Sequence, residues 1–369
     1  MPFRIIRNDI TKVEADIIVN SANPEPVQGG GADYAIYEAA GREKLLEERR
    51  MIGKIGTGEA VVTKAFELPA KYIIHTVGPV WEGGDRGEEE KLASCYRKSL
   101  LLADQLSAES IAFPLISSGI YGYPRDRALR TALDEIGRFL ESHDMDVILV
   151  VYDKSSFELS GRLSSDVRQY IDDHYVEDHY RESVLPEARR RPFHDNIVGH
   201  APAESSRRKR RKIFESPSKP AASEHAPHGP APEDITSVTE EAAAPYPSLN
   251  LDHLVSQVGE SFQERLLHLI DERGLTDVEV YKKANMDRKL FSKIRCKPDY
   301  SPKKRTALAL AVALELDLKE TQDLIGRAGM AFSPSSPFDL IVEYCIQKKI
   351  YDIYEINAIL FEYDQPLLA

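Results

Sequence analysis

Along residues 1–180, short apolar runs alternate with stretches of helical period. FRIIR (3–7), DIIVN (16–20), EAVVTKAF (59–66), YIIHTV (72–77), SIAFPLI (110–116) and DVILVVY (146–152) predict strands. ADYAIYEAAG, EEEKLASCYRKSLLLADQL, PRDRALRTALDEIGRFL and SSDVRQYIDDHY predict helices between or after them. Several strands are apolar on both faces, as strands covered by helices on both sides must be. The expected fold class is a three-layer α/β/α sandwich. In such sheets ligands bind beyond the carboxyl ends of strands.

The pattern changes twice further on. Residues 181–250 hold ten of the 22 prolines, few apolar residues and no amphipathic period, so they predict a disordered linker unable to offset its chain entropy by burial. Inside lies RRKRRK, 207–212, which reads as a solvated charge run, a nucleic-acid contact or an import signal. Residues 251–369 predict an all-helical domain, with SFQERLLHLIDERG, DVEVYKK, RKLFSKIR, KKRTALALAVALELD, KETQDLIGRAG, FDLIVEYCIQKK and DIYEINAILFEY as its helices.

Length and charge set bounds on this picture. A chain of 369 residues exceeds one ordinary core and implies two domains with a linker. The net charge of -12 gives no global attraction for polyanions or acidic membranes, so any nucleic-acid site must be a local patch. Cys95, Cys296 and Cys345 are too scattered for a disulfide framework or a zinc site. MPFRIIRNDITK lacks a signal peptide's apolar core, and no run approaches the roughly 20 apolar residues of a membrane span. A soluble, cytoplasmic protein of a reducing compartment is expected, with no membrane partner.

Candidate chemistry concentrates in two loops rich in small residues. NSANPEPVQGGGAD (20–33) and SSGIYGYP (117–124) each join a strand to a helix. Successive backbone N–H groups and a helix N-terminus can hold a phosphate, so two such loops suit a diphosphate. Neither matches GxxxxGK[ST], and Tyr34 prevents Gly29 and Gly31 from opening a GxGxxG motif. Taken alone, the glycines also fit ordinary tight turns.

Order and surroundings extend this reading. NDIT (8–11), NSAN (20–23), GGGAD (29–33), AIYEAAG, GTGEAVVT (56–63), LPAKYIIHTVGPVW (68–81), CYRKSL (95–100) and SIAFPLISSGIYGYP together resemble a macro domain, over about residues 1–175. The likeness is greatest to the MacroD-type branch, whose members bind ADP-ribose and hydrolyse its ester links. It implies a mixed sheet, and ADP-ribose, O-acetyl-ADP-ribose or an ADP-ribosylated protein as partner, with no metal or other cofactor. By the same resemblance Asp9 accepts from the adenine amine with Ile10 against the ring, and Asn20 belongs to the ligand site. Gly30, Gly31, Ser117, Ser118, Gly119, Ile120 and Tyr121 are expected to wrap the diphosphate. Tyr152 is the candidate to stack on adenine, or else a strand-end core aromatic. Asn23 and Asp33 face the distal ribose and its attacking water, where a carboxylate orients water and an amide holds a hydroxyl without a metal. Asp33 equally fits a helix N-cap.

Four positions depart from the branch pattern. Gln28 replaces the first of four glycines, Ala32 a valine, Tyr34 a small residue, and Tyr37 a frequent histidine. Tyr34, bulky beside Asp33, is expected to narrow the ribose pocket or alter acceptor choice. His75 reads as a strand histidine satisfied by neighbours, and Cys95 as a helix-core thiol.

In the helical region, residues 276–295 are similar to the lambda-repressor-like helix-turn-helix family. Asn285 suits a left-handed turn position and Asp287 an N-cap. Residues 282–305 carry ten Lys and Arg against two Asp. By resemblance Arg288, Lys289, Ser292 and Lys293 would face a DNA major groove. Protein interaction or a purely structural role stands beside that reading.

Overall fold

The computed structural model describes residues 2–152, 166–171, 259–297 and 300–369. The linker expected over 181–250, RRKRRK included, lies outside the described residues.

All six predicted strands form: β1 (Phe3–Arg7), β2 (Ile17–Ser21), β3 (Ala60–Lys64), β4 (Tyr72–Thr76), β5 (Ser110–Pro114) and β6 (Asp146–Val151). They make one mixed sheet in the order β1-β6-β5-β2-β4-β3, with every pair parallel except β3 against β4. Alternation within each strand feeds two cores. Ile17, Val19, Ile111, Phe113, Val147 and Leu149 point to the face covered by α3 (Glu88–Gln105) and α4 (Arg125–Leu140). Ile18, Ala112, Ile148 and Val150 point the other way, to α1 (Ala32–Ala40) and α2 (Arg42–Ile52). The expected three layers follow from this two-sided apolar pattern.

The helical region contains α5 (Phe262–Glu272), α6 (Asp277–Lys283), α7 (Arg288–Cys296), α8 (Lys304–Ala313), α9 (Leu318–Arg327), α10 (Pro337–Gln347) and α11 (Ile353–Glu362). Its starts are written locally. Ser261, Thr276 and Asp317 each form a capping box with the Glu three residues on. The region has a core of its own around α8, whose apolar side chains are buried all round. Residues 166–171 are helical and pack on this core through Val167, although the sequence pattern grouped them with the α/β region.

Among the described residues the two regions form one compact unit. Asn285, in the left-handed conformation (φ 50°) predicted for it, is fully buried. Its amide accepts from Phe3 N and donates to Phe3 O, both at 2.9 Å, pairing that residue's main-chain groups at the outer margin of β1. The Phe3 ring meets Tyr354 of α11 edge-on at 5.3 Å, and Arg7 pairs with Asp364 at 3.0 Å. A Cβ on Gly137 of α4 would come within 3.1 Å of the Tyr354 ring, so glycine permits this approach. No helix among the described residues is long and apolar enough to cross a membrane.

Candidate functional site

Sheet order brings the two candidate loops together. β2 and β5 are neighbours, pairing Ile17 with Ile111 and Ile18 with Ala112, so loops far apart in sequence leave the same end of the sheet side by side. Between them lies a cleft of about 260 Å³. Asn23, Gly29, Gly30, Gly31 and Asp33 line it from the first loop, and Ser117, Ser118, Gly119, Ile120 and Tyr121 from the second. Tyr152, just past β6, closes it from the side. Tyr152 is 76% exposed, so it is not a core aromatic. Ile120, 81% exposed, reaches across toward Gly30, where an added Cβ would meet its Cδ1 at 3.1 Å.

Asp33 is buried at the inner end of this cleft, in the first turn of α1. The helix N-cap is Gly31 (φ 63°), which leaves the Asp33 carboxylate to other work. One oxygen, Oδ2, accepts the Gly29 N–H, and the other accepts Asn20 Nδ2 at 2.6 Å. Burial raises the Asp33 carboxyl above its ordinary range, while these two bonds and the charge of Arg49 oppose that rise. The chain of bonds continues inward. Asn20 Nδ2 also donates to His75 Nδ1 at 3.1 Å, and His75 Nε2 lies 2.9 Å from Thr63 Oγ1, which donates to Lys64 O. Partner types assign the His75 proton to Nε2. Burial, reinforced by the charge of Arg49, pulls His75 down to about 3, so the ring is neutral. His75 is thus a satisfied strand histidine, as its sequence context implies.

Asn23 lies on the other side of Gly29. Its Nδ2 donates to Val27 O at 3.3 Å, and its Oδ1 is 3.5 Å from the Tyr121 hydroxyl. A Cβ on Gly29 would come within 2.6 Å of Asn23 Nδ2 and 3.1 Å of Asp33 Oδ2. Gly29 therefore separates the two candidate catalytic groups, and the run of glycines alone does not reveal which one does so. Gly29→Ala is expected to displace the Asn23 amide and weaken ADP-ribose binding in the cleft by about tenfold, close to 1.4 kcal/mol, with little change in Tm. Calorimetric titration with ADP-ribose beside a melting curve checks this. The second loop is as tight: Ser117 holds φ 63°, and a Cβ on Gly78 would sit 2.0 Å from Ser117 Oγ.

Other expected residues fall elsewhere. Asn20 is fully buried and not part of the cleft lining, because it shares the inward face of β2 with Ile18; it holds Asp33 instead of ligand. Ile10 is packed in the core beneath α1 and does not line the cleft. Asp9 is also outside the lining; its Oδ1 accepts from Thr11 N and Thr11 Oγ1, starting the 3-10 turn Ile10–Lys12. Tyr34 is half-exposed and is not among the residues that line the cleft. Gln28 explains its own departure from glycine: Nε2 donates to Glu38 Oε1 at 2.9 Å and ties the loop to α1. Arg288, Lys289, Ser292 and Lys293 are exposed on α7, whose N-cap is Asp287, with Lys293 over the Tyr300 ring.

Comparison with known proteins places this geometry. The family model described as Macro domain matches residues 19–132, the span from the first loop through the second. The chain is 52% identical over 155 residues to a macro domain-containing protein of Methanosarcina mazei, covering 42% of this chain and 82% of the relative. It is 44% identical over 164 residues to the O-acetyl-ADP-ribose deacetylase of Escherichia coli, covering 43% of this chain and 93% of that protein. A solved Oceanobacillus iheyensis macrodomain with ADP is 41% identical, with coverage of 42% and 85% and a TM-score of 0.40. None of these comparisons identifies residues 276–295 as a helix-turn-helix or supports DNA as a partner. With a relative of this identity matched over most of its length, the chain belongs to the macro domain family.

Proposed function

We propose that the chain binds ADP-ribose in the cleft between its two loops and hydrolyses ester links to it, either in O-acetyl-ADP-ribose or in mono-ADP-ribose carried on acidic side chains. The observation that carries this reading is the meeting of Asn23 and Asp33 across Gly29 in a cleft walled by two loops rich in small residues. Backbone N–H groups of both loops and the N-terminus of α1 offer the positive potential for the phosphates. Tyr152 offers a face for adenine. Asn23 holds a ribose hydroxyl, and Asp33 orients a water and takes its proton. One water enters, and ADP-ribose leaves with acetate or with the free side-chain carboxylic acid. The deacetylase name of the Escherichia coli relative agrees with this chemistry.

A second reading has an observation in its favour. Both Asp33 oxygens already accept a hydrogen bond, as in a purely structural carboxylate, which fits a reader that binds ADP-ribose without turnover. One assay separates the two. The full chain is incubated with O-acetyl-ADP-ribose and with a glutamate-linked ADP-ribosylated protein, and release of ADP-ribose is followed beside calorimetric binding. The hydrolase reading expects release well above the uncatalysed rate. Tight binding with no release would establish the reader.

A further inference from the structure

The buried chain of bonds behind Asp33 has a direction, and its far end sets it. Asn20 stands opposite His75 in the parallel register of β2 and β4, and Thr63 of β3 stands opposite Ile73, two residues before His75, so the three side chains share one face of the sheet. Asn20 and His75 are fully buried and Thr63 is 2% exposed, so water does not compete for their polar atoms. Lys64 O can only accept, and it takes the proton of Thr63 Oγ1 at 3.2 Å. The hydroxyl oxygen is left to accept from His75 Nε2 at 2.9 Å, which leaves Nδ1 bare to accept from Asn20 Nδ2 at 3.1 Å. The same Nδ2 donates to Asp33 Oδ1 at 2.6 Å. A main-chain carbonyl on the edge strand thereby dictates, through three side chains, what Asp33 is offered.

The Asn20 amide has two ways to lie. Its Oδ1 has no hydrogen-bond partner, so nothing at the oxygen end holds it. Turned over, the amide would present oxygen to Asp33 Oδ1, and a carboxylate facing another acceptor must take up a proton or move away. It would also present oxygen to the bare His75 Nδ1, a second clash of acceptors. His75 with its proton on Nε2 therefore forbids the turned amide, whereas a ring protonated on Nδ1 would donate to it.

We propose that His75 and Thr63 act through Asn20 as positioning residues that keep an amide donor turned toward Asp33 and so hold its carboxylate in place. The proposal deepens the hydrolase reading and rests on Asp33 as the group that activates water. The alternative is that the chain only satisfies polar atoms in the core, in which case breaking it leaves Asp33 as it was.

The experiment uses the full chain with ¹⁵N in its histidine rings and ¹³C at its aspartate carboxyls. His75→Phe identifies the His75 signals and Asp33→Asn the Asp33 signal. Wild type is expected to carry the ring proton on Nε2. Thr63→Val keeps the shape of the side chain and removes the hydroxyl, so the ring proton is expected to shift toward Nδ1 and the Asp33 carboxyl signal to move. With them the kcat of O-acetyl-ADP-ribose hydrolysis falls by about tenfold to a hundredfold while KM changes little. Thr63→Ser restores the hydroxyl and stays with wild type in all three. A wild-type ring protonated on Nδ1 overturns the proposal, as does an unmoved Asp33 signal in folded Thr63→Val. Should that variant not fold, an unmoved Asp33 signal in His75→Phe overturns it. If wild type cleaves nothing, the hydrolase reading fails, and the Asp33 signal still decides what the chain of bonds does.

Discussion

Asp33→Ala is expected to lower the kcat of ester hydrolysis by about 10²- to 10⁴-fold, the span typical for loss of a positioned general base. ADP-ribose affinity should change far less, because the loops that line the rest of the cleft keep their backbone N–H groups. The variant also strips an acceptor from the part-buried Gly29 N–H and from the buried Asn20 Nδ2, at a cost of about 1–3 kcal/mol for a buried donor that loses its partner. The melting temperature must therefore be measured with the rate. Single-turnover release of acetate and calorimetry with ADP-ribose give the two numbers. An undiminished rate in a folded Asp33→Ala protein would end the catalytic assignment.

The second large effect lies far from the cleft. Asn285→Gly should destabilise the contact between the helical region and the sheet by about 2–5 kcal/mol, since both Phe3 main-chain groups lose their buried partner. Glycine is the right replacement. It tolerates the left-handed backbone at this position, so the loss reports the amide and not backbone strain. Hydrogen exchange at the Phe3 amide should accelerate together with that of α11, while α3 keeps its protection. Unchanged exchange at Phe3 would show that the amide contributes nothing to docking.

Much of the fold was legible because its rules are local. Six strands stood out as apolar runs, and the segments of the helical region stood out by their period, with Asp287 legible as a cap. The helix α2 did not stand out. Its inward positions include Leu45 and Arg49, and an arginine at a core position hides the apolar period that signals a helix. Within the site, Asn23 and 117–121 on the loops and Asp33 in the first turn of α1 line the cleft. Asn20 and Ile10, on or beside regular structure, do not. The strand period of two turns Asn20 inward with Ile18, and an apolar residue opening a short turn, Ile10, goes to the core. Asn285 was legible as a turn residue, but its partner lies 282 residues away, and no local pattern announces that.

That partner is a main-chain N–H and C=O at the rim of the sheet. Such groups, left open, are a template on which any extended segment can add itself, including the same strand of another copy. By filling the place with an amide and laying α11 across β1, the helical region denies that template to other chains. An α/β region freed of its helices would leave the Phe3 N–H and C=O open at that rim.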